Sequence, residues 1–219
     1  MVASKLLRWL LSVALFGALL FGLSGRRDLP MLWAFWGVCA VLALLVIITI
    51  DPELAKERRR PGPGGVDRHR RVFFGLLFVS TVAVASLDIG RFHWSDTVPL
   101  GAQIIALGVV AGGMGVLVWA VAVNRFFSPV VRIQAERGHH LVDRGPYRYV
   151  RHPGYLGMFL GLPATALALG SWWAVVPAVA NSLLVLRRLV VEERYLRANL
   201  AGYAGYMSRV GYRMIPGIW

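Results

Sequence analysis

The stretch Tyr155–Leu186 carries no charged side chain over 32 consecutive positions, and this limits what the chain can fold into more than any other feature. As one helix it would extend about 48 Å at about 1.5 Å per residue, well beyond a bilayer's hydrocarbon core of about 30 Å. Gly170-Ser171 near its middle predicts a helix-turn-helix hairpin instead. Four further uncharged runs, Leu10–Gly25, Met31–Ile50, Val72–Leu87 and Val98–Asn124, come near or exceed the roughly 20 residues that cross a bilayer. The expected fold is therefore all-α and polytopic, with four clear spans and a C-terminal hairpin, five to six passes in all. Residues 1–97 form an N-terminal accessory half with a basic loop at 51–71, and residues 98–219 form a second half holding nearly all the polar features next to membrane segments.

A net charge of +13 raises the question of nucleic acid, but the placement of the charge answers it. Of the 24 Lys and Arg, all except Arg26, Arg27 and Arg91 fall in loops on one side of the threaded spans. That split follows the positive-inside rule, and it predicts cytoplasmic termini and a basic face against anionic lipid headgroups, with no nucleic-acid partner. Residues 1–24 have Lys5 and Arg8 ahead of an apolar run, but no small-x-small cleavage site follows, so they are read as a first anchor. Cys39 is the only cysteine and lies inside the second span, which leaves no disulfide framework and no thiolate metal site. The loop Asp51–Arg71, with Arg58-Arg59-Arg60 and several Gly and Pro, reads as a flexible linker over headgroups. In the fourth span, Gly108 and Gly112 make a small-xxx-small face for close helix approach, and Gly157 and Gly161 repeat the spacing on the hairpin. A nucleotide-binding glycine loop would need a preceding strand, which this membrane helix lacks.

The chemistry concentrates at Gly145-Pro-Tyr-Arg-Tyr-Val-Arg-His-Pro-Gly-Tyr-Leu-Gly157, at the mouth of the hairpin. Cationic and imidazole side chains are costly at a membrane edge, so such a cluster indicates a site. Arg148 and Tyr149 suit an interfacial anchor, with Tyr at headgroup level. The hairpin returns Glu192 and Glu193 to the side that carries His152. Arg188 and Glu192, four residues apart, are expected to form an ordinary helix-surface ion pair. Carboxylates, an imidazole and arginines at one mouth can hold a zwitterionic cofactor, and neither a Ser-His-Asp order, metal-ligand spacing nor a P-loop is present.

This block, followed by Glu192-Glu193, Tyr203-x-x-Tyr206, Arg209-Val210, Arg213 and Pro216, and preceded by His139-His140-Leu141-Val142, resembles the isoprenylcysteine carboxyl methyltransferase family over roughly Asn124–Trp219. The resemblance implies an integral membrane methyltransferase with a cytoplasm-facing S-adenosylmethionine pocket and a lipophilic or lipidated substrate that enters from the bilayer. Carried over by motif position, His139, Tyr147, His152, Pro153, Tyr155, Gly157, Glu192 and Glu193 are the cofactor-site candidates. Arg151, Glu193, Arg209 and Arg213 are the catalytic candidates, the arginines holding a substrate carboxylate or the cofactor. Carboxylate O-methylation is favoured, and an amine substrate would instead call on Glu192 or Glu193 as base. Nothing in the sequence marks a prenylated-cysteine pocket, so that family's own substrate is not carried over with the cofactor. Two alternatives are a non-catalytic protein on the same scaffold and an NADPH-dependent, sterol-reductase-like enzyme. The latter usually carries an acidic residue where Met158 follows Gly157 here.

Overall fold

The computed structural model describes residues 2–67 and 71–219, so the loop cations Arg68 and Arg70 lie outside the described residues. Among the described residues eight α-helices follow in order: α1 (Val2–Ser24), α2 (Pro30–Thr49), α3 (Pro52–Arg59), α4 (Arg71–Leu87), α5 (Leu100–Val123), α6 (Pro153–Ala168), α7 (Val175–Asn199) and α8 (Tyr203–Arg209). Four of them, α1, α2, α4 with its π-helical extension Asp88–Phe92, and α5, are long and apolar enough to cross a membrane. The protein is an integral, multi-pass membrane protein. Its outward faces carry exposed apolar side chains such as Leu15, Ile105 and Leu183, as expected of surfaces that meet lipid rather than water. Among the described residues the only β pairing is an isolated bridge between Val66 and Val131.

The buried apolar side chains fall into three clusters, one of which joins the spans. Leu20, Phe35, Val82, Val110, Ala166 and Leu169 bring α1, α2, α4, α5 and α6 onto a common core. The hairpin forms where the sequence predicts it: α6 ends at Ala168 and α7 starts at Val175. Gly170 takes a positive φ of 83° in the turn, a conformation that a residue with a Cβ adopts only with strain. Ser171 fastens this turn to α4 by donating to Asp88 Oδ2 at 2.6 Å and accepting from the Ala174 N–H at 3.1 Å.

The close helix approach uses the Gly157 and Gly161 face of α6 as the spacing suggests, but on α5 it falls elsewhere. A Cβ on Gly108 or Gly112 would meet nothing within 4 Å, so the small face expected there is unused. Gly113 is the contact residue instead. A Cβ on Gly157 would stand 2.2 Å from the Gly113 carbonyl oxygen, and one on Gly113 would stand 2.9 Å from that of Gly157. The backbones of α5 and α6 therefore touch, which fixes the end of α6 that carries His152.

The start of the segment expected to be a flexible linker is instead helical, as α3. The Asp51 side chain caps α3 by accepting from the Leu54 N–H at 2.9 Å, and Pro52 occupies the first turn, where its missing N–H costs nothing. Leu54 and Glu57, one turn apart, are both buried, and Glu57 bonds the segment that follows α5.

Candidate active site

After α5, Asn124 stops the helix: its side-chain oxygen accepts from the Phe126 N–H at 2.9 Å and turns the chain along the bundle end. A second turn starts at Gly145, whose positive φ of 59° seats it against Val123. Pro153 then starts α6, with His152 in the cap position. These turns, the charged end of α7 and α8 enclose a cavity of about 260 Å³, near the lower end of the roughly 300–1,000 Å³ seen for small-molecule sites. Its walls are mainly apolar and aromatic (Phe126, Phe127, Val130, Leu141, Met158, Leu196), with a few polar groups converging between them. Arg58 of α3 and Phe74 of α4 complete the lining, so the first half of the chain also contributes to the cavity.

One buried knot holds the cavity's shape. Arg151 donates from Nε to Glu193 Oε1 at 2.7 Å, and from Nη1 to the carbonyls of Val210 and Gly211 at 2.7 and 2.8 Å. Its Nη2 lies 2.6 Å from the same carboxylate oxygen, and Arg213 donates to Oε2. The backbone N–H groups of Arg151 and His152 donate to the carbonyls of Tyr212 and Arg213 at 2.9 and 2.8 Å, so the motif pairs with the tail. Burial pushes the Glu193 carboxyl up, but the nearby His152 imidazole and the hydrogen bonds of Arg213 and Arg151 outweigh it and bring it down to about 2. His152 Nε2 stands 3.7 Å from Glu193 Oε1, beyond a hydrogen bond, and 3.4 Å from the Tyr203 hydroxyl.

A second chain of polar groups faces the cavity. Arg188 does not pair with Glu192 directly, as the i,i+4 spacing suggests; Tyr155 stands between them. Arg188 Nε donates to the Tyr155 hydroxyl at 2.9 Å, and that hydroxyl donates to Glu192 Oε2 at 2.6 Å. Arg188 Nη2 donates to the Pro129 carbonyl at 2.6 Å, and the guanidinium packs over the Phe74 ring. Nη1 of Arg188 and Oε1 of Glu192 have no hydrogen-bond partner among the described residues. Opposite them, the Gln134 N–H donates to His139 Nδ1 at 3.2 Å, which assigns the proton of the neutral ring to Nε2. Burial, aided by the charges of His140, Arg137 and Arg132, holds His139 down at about 4, so it stays neutral at physiological pH. Its ring stacks on Phe126 at 4.4 Å. The Tyr147 hydroxyl accepts from Asn124 Nδ2 at 3.2 Å, while the Tyr206 hydroxyl donates to the Tyr147 carbonyl at 2.7 Å.

Of the residues singled out from the sequence, His139, Tyr147, Arg151, His152, Tyr155 and Glu192 line the cavity together. Pro153 and Gly157 support it from behind, one opening α6 and the other setting the contact with α5. Glu193 stands one layer back, behind Arg151 and His152, and Arg213 lies on its far side over the Trp219 ring. Arg209 is exposed, paired with Asp143 at 3.1 Å, and does not reach the cavity. Sequence reasoning missed Asn124, Arg132, Phe74 and Arg58 as lining residues, and gave Arg188 only a surface role. For Arg188 the signal was present: the hairpin that returns Glu192 to Tyr155 also returns the residue one turn earlier. Nothing local marks the others as cavity residues: Arg132 meets Glu57 from 75 residues away and Asn124 meets Tyr147 from 23.

The architecture thus defines a polytopic helical membrane protein with an interfacial cavity built chiefly by the half that follows the third span. Residues 104–198 match the model of the Isoprenylcysteine carboxyl methyltransferase (ICMT) family. Similar proteins include the protein-S-isoprenylcysteine O-methyltransferase of Schizosaccharomyces pombe, 33% identical over 103 residues that cover 44% of this chain and 42% of that protein. The probable protein-S-isoprenylcysteine O-methyltransferase of Oryza sativa subsp. indica is 32% identical over 128 residues, or 57% of this chain and 62% of that one. The chain thus spans about half the length of the curated relatives it matches. The solved structure of the eukaryotic intramembrane Ras methyltransferase ICMT shares the fold with a TM-score of 0.63 at 21% identity, covering 94% of this chain and 75% of that one.

Proposed function

We propose that the chain is an S-adenosylmethionine-dependent methyltransferase that esterifies a carboxylate on a lipophilic substrate. Within it, residues 98–219 are the catalytic half and residues 1–97 the accessory half. The cavity and both termini face the cytoplasm, in keeping with the one-sided Lys and Arg. The observation that carries this reading is the Arg188–Tyr155–Glu192 chain, whose guanidinium, hydroxyl and carboxylate all belong to residues lining one mainly apolar cavity. The other two buried arginines of the lining are already satisfied: Arg132 by Glu57 and Glu136, and Arg151 by Glu193 and two carbonyls.

The donor set fits the cofactor. Glu192 offers negative charge to an ammonium or sulfonium, Tyr147 and Tyr203 offer aromatic surface, and Asn124, His139 and His152 offer polar contacts. When bound, S-adenosylmethionine supplies an electrophilic methyl group on a positively charged sulfur. A substrate carboxylate is already ionised at neutral pH, so the residues need only orient it and exclude water. Arg188 orients it through its free N–H, with Phe74 and Met158 as the apolar flank for a lipid tail. Transfer to an ionised carboxylate would need no proton moved, so none of these residues would have to act as a base. Glu193 and Arg213 serve by holding Arg151 and the tail, not by touching substrate. The similar proteins are named for S-isoprenylcysteine, a carboxylate beside a lipid tail, which is the chemistry proposed here.

Purified protein in detergent should be stabilised against heat by S-adenosylhomocysteine and not by NADPH. With a labelled methyl donor it should transfer label both to an S-prenylated cysteine and to a lipid extract, or to only one of these, which identifies the substrate class. Stabilisation by NADPH alone, or label in neither acceptor, refutes the reading.

A further inference from the structure

Outside the segment that matches the family, α3 is tied to the cavity wall by charge. Glu57 uses both carboxylate oxygens: Oε1 accepts from Ser128 Oγ and Arg132 Nε, each at 2.9 Å, and Oε2 accepts from Arg132 Nη2 at 2.9 Å and the Gly62 N–H at 3.2 Å. Both partners are buried, with side-chain exposures of 3% for Arg132 and 5% for Glu57. Burial raises the Glu57 carboxyl, but the bonds from Arg132, Gly62 and Ser128 outweigh it and leave it below the ordinary range. Around this fork, Arg125 pairs with Glu53 at 2.7 Å and Arg58 donates to the Phe127 carbonyl at 3.2 Å. The acidic face of α3 thus meets the basic run that follows α5.

A buried ion pair is seldom the most stable way to fill such space, since well-packed apolar residues do as well, but it fixes geometry that an apolar contact leaves loose. What is fixed here is the wall. Ser128, held by Glu57, immediately precedes Pro129, whose carbonyl receives Arg188 Nη2. From Arg188 the bonds continue through Tyr155 to Glu192. An unbroken path therefore joins Glu57 in the accessory half to the carboxylate facing the cavity.

We infer that Glu57 is a positioning residue and that α3 sets the wall Phe126–Arg132, and through it Arg188 and Glu192, for ligand binding. This rests on the cofactor reading above. The bland alternative is that the pair only holds the fold together, and binding constants separate the two. A structural defect lowers the number of binding-competent molecules without changing the affinity of those that remain. A positioning defect weakens affinity at full stoichiometry.

The test is the affinity and stoichiometry of S-adenosylhomocysteine for the full chain in lipid nanodiscs, in wild type, Glu57→Gln and Glu57→Asp. Aspartate keeps the charge but is too short to hold Arg132 and Ser128 together, so it serves if the glutamine variant fails to fold. Glu53→Gln, in an exposed pair, is the control and should bind as wild type does. The expected result is about a tenfold higher Kd for Glu57→Gln and about threefold for Glu57→Asp, each with one site per chain. Wild-type Kd in any folded variant overturns the inference and leaves the cofactor reading intact. Absence of binding by the wild type overturns the cofactor reading, and the inference with it.

Discussion

Removing the Glu193 carboxylate should unfasten the tail before it touches any chemistry. In Glu193→Ala, Arg151 keeps its two carbonyl partners but loses both contacts to the carboxylate, in a place where its side chain is only 5% exposed. Leaving one member of a buried pair uncompensated costs about 3–5 kcal/mol. Arg213 adds little, because its side chain is 35% exposed and water screens it, so its share is about 0–1 kcal/mol. For a chain of this length each kcal/mol moves Tm by about 2–4 °C, so the expected loss is about 10 °C. Trp219, whose ring lies 5.1 Å from the Arg213 guanidinium, gives a fluorescence signal at the tail, and trypsin cleavage after Arg209 and Arg213 reports its release. The acid limb provides a second check. The folded carboxyl sits near 2 against an ordinary 4.5, so its stabilisation is fully present above about pH 4.5 and disappears as pH falls toward 2. That limb should be missing in the variant. A Tm within about 2 °C of wild type, with the tail still protease-resistant, would refute the knot as described.

Gly157→Ala places a methyl group against the Gly113 carbonyl, and overpacking of this kind typically costs about 1–3 kcal/mol, visible as a lowered Tm; a matching substitution at Gly112 should be silent. Tyr155→Phe should leave the fold near wild type by circular dichroism yet reduce methyl transfer at least tenfold, because Arg188 and Glu192 lose the hydroxyl that aligns them. His139 is held neutral with a folded value near 4, below its ordinary 6.5. The unfolded chain therefore binds the extra proton first, and stability should decline as pH falls from about 6.5 to about 4, with a shallower slope in His139→Gln. Asp51→Ala removes the cap of α3 and should cost about 1 kcal/mol by thermal unfolding.

The spans were legible because charge cannot be hidden in lipid, so uncharged runs and helices coincide within a few residues for α2, α4 and α5. α1 starts earlier than its run because a helix continues through Lys5 and Arg8 after leaving the apolar layer. Gly170-Ser171 marked the hairpin turn through the one backbone conformation that glycine tolerates best. Spacing could not say which glycine of the fourth span faces a neighbour, since Gly108, Gly112 and Gly113 look alike until α6 is placed. Nor could it pair Glu57 with Arg132, 75 residues apart, from a loop whose proline, glycine and arginine content suggested solvent. The motif at residues 145–157 indicated where the cavity lies, but not that Arg151 and Glu193 would satisfy each other and leave Arg188 and Glu192 with free groups.

The Arg151 knot also sets an order of events in biogenesis. Val210 and Gly211, which accept two of its hydrogen bonds, are synthesised about 60 residues after Arg151 itself. Throughout that interval the nascent chain holds an arginine at the hairpin mouth whose carbonyl partners do not yet exist. The knot therefore closes only once the tail has docked. A tag or truncation that hinders docking of residues 210–213 would leave the knot open and yield an inserted but inactive protein.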